Sequence, residues 1–209
     1  MMARRILAAA AWLVGSAAIL IAAAALLCPG GRCRLPQIDT SGLALVNGWR
    51  SNGLDTFFSA ITWFGSLWVL FPLAALIAWT QSRRSGLRTS AFVPLSLLLA
   101  SALAYMTKLV VERPRPDIFS AAIPLPGDWS FPSAHTMQVT AFLLAILFLS
   151  KDKCFISTAT GAALIILVVG TSRLYLQVHF PTDVIFGFIA AIGCVMAARQ
   201  LTVEQRNIS

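Results

Sequence analysis

The sequence predicts an all-α, polytopic membrane protein with six transmembrane helices in a single domain over residues 1–209, on three observations. The chain is 58% hydrophobic and only 11% charged, against roughly 45–50% apolar and about 25% charged in a soluble domain. Its mean hydropathy is +0.79. Its charges are gathered so that uncharged runs remain at Ile6–Gly31, Thr56–Ser82, Thr89–Thr107, Trp129–Ser150, Cys154–Ser172 and Val184–Ala198. Five of these hold 19 to 27 residues, close to the roughly 20 that a helix needs to cross a hydrocarbon core of about 30 Å.

The first span is placed at 6–28. Arg4-Arg5 ahead of an Ala/Leu/Ile-rich run resembles a secretory signal. The apolar stretch exceeds the usual core of about 7–15 residues, and no small-x-small cleavage site follows, so the segment reads as a retained helix. Leu26-Leu27-Cys28 does not read as a lipoprotein signal, because Leu27 is bulky and Pro29 follows. Cys28 and Cys33 flank Pro-Gly-Gly-Arg at the external end of this span, where a disulfide can persist; two unpaired thiols are the alternative. Cys154 and Cys194 read as small hydrophobes near the cytoplasmic side or within helices.

An external stretch, 29–55, contains a weakly amphipathic piece carried by Leu43, Leu45, Val46 and Trp49. The second span is expected at 57–80, a basic turn at 81–88 and the third span at 90–111. A loop over 112–131 carries Arg113-Pro-Arg-Pro-Asp and Pro-Leu-Pro-Gly-Asp-Trp. The fourth span, 133–150, connects through Lys151-Asp-Lys to the fifth, 154–172. The last uncharged run has 15 residues, about 22 Å of helix, so the sixth span is extended to 181–200 and Asp183 falls at its mouth. Trp49, Trp63, Trp68, Trp79 and Trp129 suit an interfacial belt. There is no internal repeat and no low-complexity tail.

A net charge of +8 could point to nucleic acid, but the 16 basic residues form no stripe, and no nucleic-acid partner is expected. Sorted by loop, they give an orientation, because short cytoplasmic loops accumulate Lys and Arg. With the N-terminus inside, the cytoplasmic side holds Arg4, Arg5, Arg83, Arg84, Arg88, Lys151, Lys153, Arg199 and Arg206, opposed by Asp152 and Glu204. The other side mixes seven basic residues with six acids. The reading is N-in and C-in across the cell inner (plasma) membrane, with 29–55, 112–133 and 173–183 extracytoplasmic.

Ionisable groups at membrane depth are costly, and their default reading is functional. Lys108, Arg115, Ser133, His135, Arg173, His179 and Asp183 all fall at the external ends of spans three to six, and both histidines of the chain are among them. Pro114 and Pro116 end the third span near Glu112, leaving Lys108 in its last turns and Arg113 as a snorkelling cation. Pro132-Ser133-Ala134-His135 opens the fourth span, where free N–H groups favour an anion, although taken alone this is an ordinary helix start. If the sixth helix begins at Pro181, Asp183 can hold one ring nitrogen of His179. The other nitrogen is then unprotonated, as in an activated nucleophile or base. A cationic cluster with one well-placed carboxylate disfavours a magnesium or calcium site, so neither metal nor cofactor is expected.

Together the three segments resemble the signature of the type 2 phosphatidic acid phosphatase superfamily, shared with acid phosphatases and vanadium haloperoxidases. The family pattern is K-x6-RP, PSGH and SR-x5-H-x3-D. Here it is met by Lys108 and Arg115-Pro116, by Pro132-Ser133-Ala134-His135, and by Ser172-Arg173, His179 and Asp183, with every spacing kept. Ala134 replaces the usual glycine, a methyl group that tightens the loop beside the phosphate. The resemblance implies a helical-bundle core and a phosphohistidine mechanism: His179 as nucleophile oriented by Asp183, and His135 as acid and then base. Lys108, Arg115, Ser133, Arg173 and backbone N–H groups, that of Ala134 included, would hold the phosphoryl oxygens.

The hydropathy sets the chain apart from the soluble haloperoxidases and favours a lipid phosphate in the bilayer as substrate. The resemblance to compact family members inclines the choice toward undecaprenyl pyrophosphate. A lipid phosphotransferase and a lipid A or phosphatidylglycerol phosphate phosphatase are alternatives carrying the same motifs. A proton-coupled small transporter is the non-enzyme rival, and it should show paired halves or broken helices.

Overall fold

The computed structural model describes residues 2–150 and 155–203, and every regular element among them is helical. The Lys151-Asp-Lys connection, Cys154, Glu204 and Arg206 lie outside the described residues. The helices are α1 (Met2–Leu27), α2 (Gln37–Asn47), α3 (Asn52–Ile61), α4 (Leu67–Ser90), α5 (Phe92–Val111), α6 (Ala134–Leu149), α7 (Phe155–Tyr175) and α8 (Pro181–Thr202). The piece expected to be weakly amphipathic falls in α2 and the turn after it, and α3 begins in the external stretch and runs into the region expected as the second span. Cys28 and Cys33 are joined by a disulfide at the end of α1.

Helices α1, α5, α7 and α8 are each long and apolar enough to cross a bilayer, which makes the chain a multi-pass membrane protein. The second span is not one straight helix. Asn52–Gly65 and Leu67–Arg83 meet at 43°, and together they make a fifth candidate crossing. Ser66 caps the new helix, its hydroxyl accepting from the Trp68 N–H at 3.3 Å. The break coincides with a close approach: a Cβ on Gly65 would lie 2.7 Å from Val169 Cγ1 and 3.0 Å from His135 Cβ. Helix α6 is apolar but has 16 residues, about 24 Å of rise, which is short for a perpendicular crossing.

The expected basic turn at 81–88 is largely helical. The chain breaks at Gly86, whose φ of 76° lies in the region that glycine enters at little cost. Helix α5 ends at Glu112 in a left-handed conformation, just before the two prolines, as the third-span reading required.

Helix α8 is the centre of the bundle. It pairs with α1 along much of its length and also touches α5 and α6, through small buried residues that include Ala190, Ala191, Cys194 and Ala198. Small side chains let helix backbones approach closely, the packing that holds helices together where lipid is as apolar as the interface. At Gly193 an added Cβ would lie 3.1 Å from the Trp12 carbonyl and would collide with the Ser16 hydroxyl. Polar side chains also link helices: Gln138 of α6 donates to Ser101 Oγ of α5 at 3.2 Å.

Overpacking a tight contact costs about 1–3 kcal/mol. Gly193→Val should therefore lower stability by about that amount through α1–α8 separation, read as an earlier unfolding midpoint in denaturant-titrated micelles.

Candidate active site

The C-terminal ends of α5 and α7 and the N-terminal ends of α6 and α8 come together at one end of the bundle, and the seven polar residues singled out in the sequence lie on these ends or in the connections beside them. The arrangement starts from Pro181, the first residue of α8. Because α8 starts there, Asp183 lies in its first turn and reaches back to accept the Phe180 N–H at 2.9 Å. The same oxygen, Oδ2, accepts from the Ser130 hydroxyl and lies 3.3 Å from His179 Nδ1. Asp183 is fully buried, and its other oxygen accepts from Arg113 Nη1 at 2.6 Å.

A carboxylate beside Nδ1 keeps the proton on that nitrogen and leaves Nε2 with a free lone pair. Nε2 faces Arg115, with Nη1 3.4 Å away. Two backbone N–H groups, of Val178 and His179, donate to the Arg173 carbonyl at 3.1 and 3.3 Å, which fixes the His179 loop to the end of α7. His179 is 2% exposed. Burial, and then the charges of Lys108, Arg115 and Arg173, push its pKa well below the ordinary histidine value.

Arg115 Nη1 also donates to the Val178 carbonyl at 2.6 Å. Ser133 caps α6: its hydroxyl accepts from Thr136 Oγ1 at 3.0 Å and from the Thr136 N–H at 3.5 Å. That role uses its lone pairs and leaves its proton to be donated. Its own N–H donates to the Asp183 carbonyl at 3.1 Å, so the α6 and α8 starts are tied together. His135 follows in the first turn of α6 with its Cβ beside Gly65, and Ala134 is buried between Ser133 and His135. Arg173 donates to Thr62 Oγ1 on the turn after α3, and its Nε is buried with no hydrogen-bond partner among the described residues.

Three acids or cations take parts that the sequence did not indicate. Arg113 is not a snorkelling cation. It is 1% exposed, paired with Asp183 and with Asp39 Oδ2 at 2.7 Å, bonded to Thr182 Oγ1 at 2.8 Å, and stacked 4.1 Å above the Phe180 ring. Asp39, buried on α2, also accepts from the Thr182 N–H and Oγ1, each at 2.9 Å. Helix α2 can come this close because Gly42 lies against Pro181, where a Cβ would sit 2.6 Å from the ring.

Asp128, in the Pro-Gly-Asp-Trp stretch, pairs with Lys108 Nζ at 3.1 Å and with Arg115. Its burial opposes ionisation, but those two charges outweigh it and hold the carboxyl below its usual range. No short-range pattern marks Asp39 or Asp128, because each meets partners across a loop or from another helix.

An apolar groove of about 590 Å³ runs between α6, α7 and α8, lined by Leu144, Ile166, Leu167 and Phe188, among others, and reaching Gly170 and Thr136 beside the site. Helix α7 scarcely touches α8 along it.

Residues 90–207 match the family model described as the PAP2 superfamily. A decaprenylphosphoryl-5-phosphoribose phosphatase of Mycobacterium tuberculosis is 33% identical over 136 residues, covering 63% of this chain and 68% of the relative. An undecaprenyl-diphosphatase of Sulfolobus acidocaldarius is 31% identical over 143 residues, covering 66% and 64%. The crystal structure of a PAP2-type phosphatidylglycerolphosphate phosphatase from Bacillus subtilis superimposes with a TM-score of 0.75 at 24% identity, covering 94% of this chain and 98% of that one.

An ordinary histidine is half protonated near pH 6.5. His179 should instead remain the neutral tautomer with the proton on Nδ1 at pH 6, seen in nitrogen NMR of labelled histidine with His135→Gln used for assignment. An imidazolium signal from His179 at that pH would contradict the geometry.

Proposed function

The chain belongs to the PAP2 superfamily, and from that premise we propose that it is a membrane-embedded lipid phosphate or pyrophosphate phosphatase working through a phosphohistidine. The observation that carries this reading is the His179 ring, held at Nδ1 by a buried Asp183 with Nε2 turned toward Arg115. Lys108, Arg115, Arg173 and the Ser133 hydroxyl supply the positive and hydrogen-bonding surface that a transferring phosphoryl group requires.

In the first step His179 Nε2 attacks phosphorus. The bond to the leaving oxygen breaks, and protonated His135 gives that oxygen its proton. In the second, neutral His135 takes a proton from water as the water oxygen attacks phosphorus. The P–N bond breaks, its electron pair returns to Nε2, and inorganic phosphate departs. Asp183 orients the nucleophile and stabilises the charge that develops on its ring. Backbone N–H groups at the start of α6, that of Ala134 included, add to phosphate binding.

The substrate reading is a lipid whose phosphate meets this end of the bundle while its chain stays in the bilayer. The apolar groove beginning at Thr136 supports it. Undecaprenyl pyrophosphate is the preferred headgroup and chain, in line with the polyprenyl names of the two sequence relatives. The layout proposed is one domain with six crossings, α3–α4 serving as a single bent span and α6 as a short one, N-in and C-in in the inner membrane. The site then faces the extracytoplasmic side. A cysteine at Ser120 should react with an impermeant thiol reagent added outside intact cells; labelling only after lysis would reverse the orientation.

The roles separate by leaving group. His179→Ala should form no acid-labile phosphoenzyme from any substrate. His135→Ala should still form phosphoenzyme from a pyrophosphate lipid or an aryl phosphate, whose leaving groups need little protonation, and lose about 10²- to 10⁴-fold in that step toward an alcohol monoester, while release of phosphate slows for all of them. Asp183→Asn should slow all substrates. Labelled phosphate trapped on His135, or persisting in His179→Ala, would reverse the assignment.

A further inference from the structure

Resting on the phosphatase reading, we propose that Asp128 is the internal counter-ion of the phosphate cradle, a carboxylate that the incoming phosphoryl group must displace and that weakens the hold on free phosphate. Asp128 holds the two cations from one side. Its Oδ2 lies 3.1 Å from Lys108 Nζ, its Oδ1 pairs with Arg115 Nη2, and its backbone carbonyl accepts from Arg115 Nε at 2.9 Å. The next carbonyl, of Trp129, accepts from Lys108. The Lys108 and Arg115 side chains are only 3% and 7% exposed, and buried cations without a counter-charge are costly.

The other acids near the site are placed differently. Asp183 and Asp39 are fully buried, bonded to helix starts and to Arg113, and cannot leave without dismantling α8. The Asp128 side chain is 40% exposed on a loop containing Pro126-Gly127, beside an open cleft of about 310 Å³ that Arg115 also lines. It can swing into that cleft without disturbing the core.

A phosphoryl group brings more charge and more acceptor oxygens to the same two cations. A carboxylate and a phosphate sharing them would repel one another, so binding of one releases the other. The exchange penalises every phosphate equally. A lipid phosphate regains the loss through its chain in the bilayer and the groove; inorganic phosphate has no such contribution and leaves.

The test uses the full chain in lipid nanodiscs with inorganic phosphate as the probe. Asp128→Asn should bind phosphate at least about tenfold tighter than the unaltered protein, about 1.4 kcal/mol, read as a lower inhibition constant against lipid phosphate turnover. Asp117→Asn, an exposed acid on the same loop, should leave that constant unchanged. In the unaltered protein phosphate should also shift Trp129 emission, identified by its loss in Trp129→Phe.

Equal or weaker phosphate binding by Asp128→Asn overturns the proposal and makes Asp128 a fixed organiser of Lys108 and Arg115. If Asp128→Asn fails to fold, a Trp129 signal that does not respond to phosphate overturns it independently. Turnover of lipid phosphate by the unaltered protein in either case leaves the phosphatase reading standing. No turnover together with no phosphate binding removes both.

Discussion

The fully buried carboxylate of Asp183 is the constraint on which the rest of the site depends. A charge at that depth is tolerable only if every lone pair is engaged, and here the Phe180 N–H, the Ser130 hydroxyl, His179 and Arg113 converge on it. The partners come from two connections: Phe180 and His179 from the α7–α8 connection, and Arg113 and Ser130 from opposite ends of the loop between α5 and α6. Satisfying one acid therefore ties both ends of the α5–α6 loop to the start of α8. The His179 ring takes its orientation from the same contacts that hold the helix ends together, so under the proposed mechanism stability and reactivity share one set of bonds.

The seven residues expected at the site do gather at one end of the bundle, because the features that place them are local. A proline at the first position of α8 puts Asp183 four residues beyond His179, and two prolines after Glu112 end α5 with Lys108 in its last turn. The long apolar helices α1, α5, α7 and α8 lie where uncharged runs of the sequence lie, since such runs are what a bilayer requires. The break at Gly65–Ser66 was not legible: it lies inside an uncharged run, and hydropathy does not register a backbone that bends to pass His135. Nor could adjacency reveal that Arg113 is buried, because its partner Asp39 comes from 74 residues earlier in the chain. Charge at a helix end reads as solvent-facing until a counter-charge from elsewhere is seen.

Around the buried acid the site has two kinds of cation. Arg113 is enclosed by two carboxylates, a threonine and an aromatic face, and its charge is spent inside the protein. Lys108 and Arg115 are instead paired with a carboxylate on a partly exposed loop, and Arg173 bonds to the Thr62 hydroxyl and makes no ion pair among the described residues. The first kind holds the scaffold, and the second is the kind that the proposed phosphate reading uses. A sequence pattern that counts basic residues cannot make that distinction; burial and the identity of the partner do.

The tie between Asp39 and the pair Arg113 and Thr182 has a consequence for how the protein can be divided. Asp39 lies well before residue 90, where the match to the family begins, yet it is the second of two acids that hold a cation within the matched region. The region matched by the family model is thus smaller than the unit within which these buried donors are satisfied. A chimera joining residues 90–207 to the amino-terminal helices of another protein would keep the Arg113–Asp183 pair but leave Arg113 Nη2 and the Thr182 N–H buried without the Asp39 oxygens that accept from them. For recombination between such proteins the workable junction lies ahead of α2, not at the edge of the shared motifs.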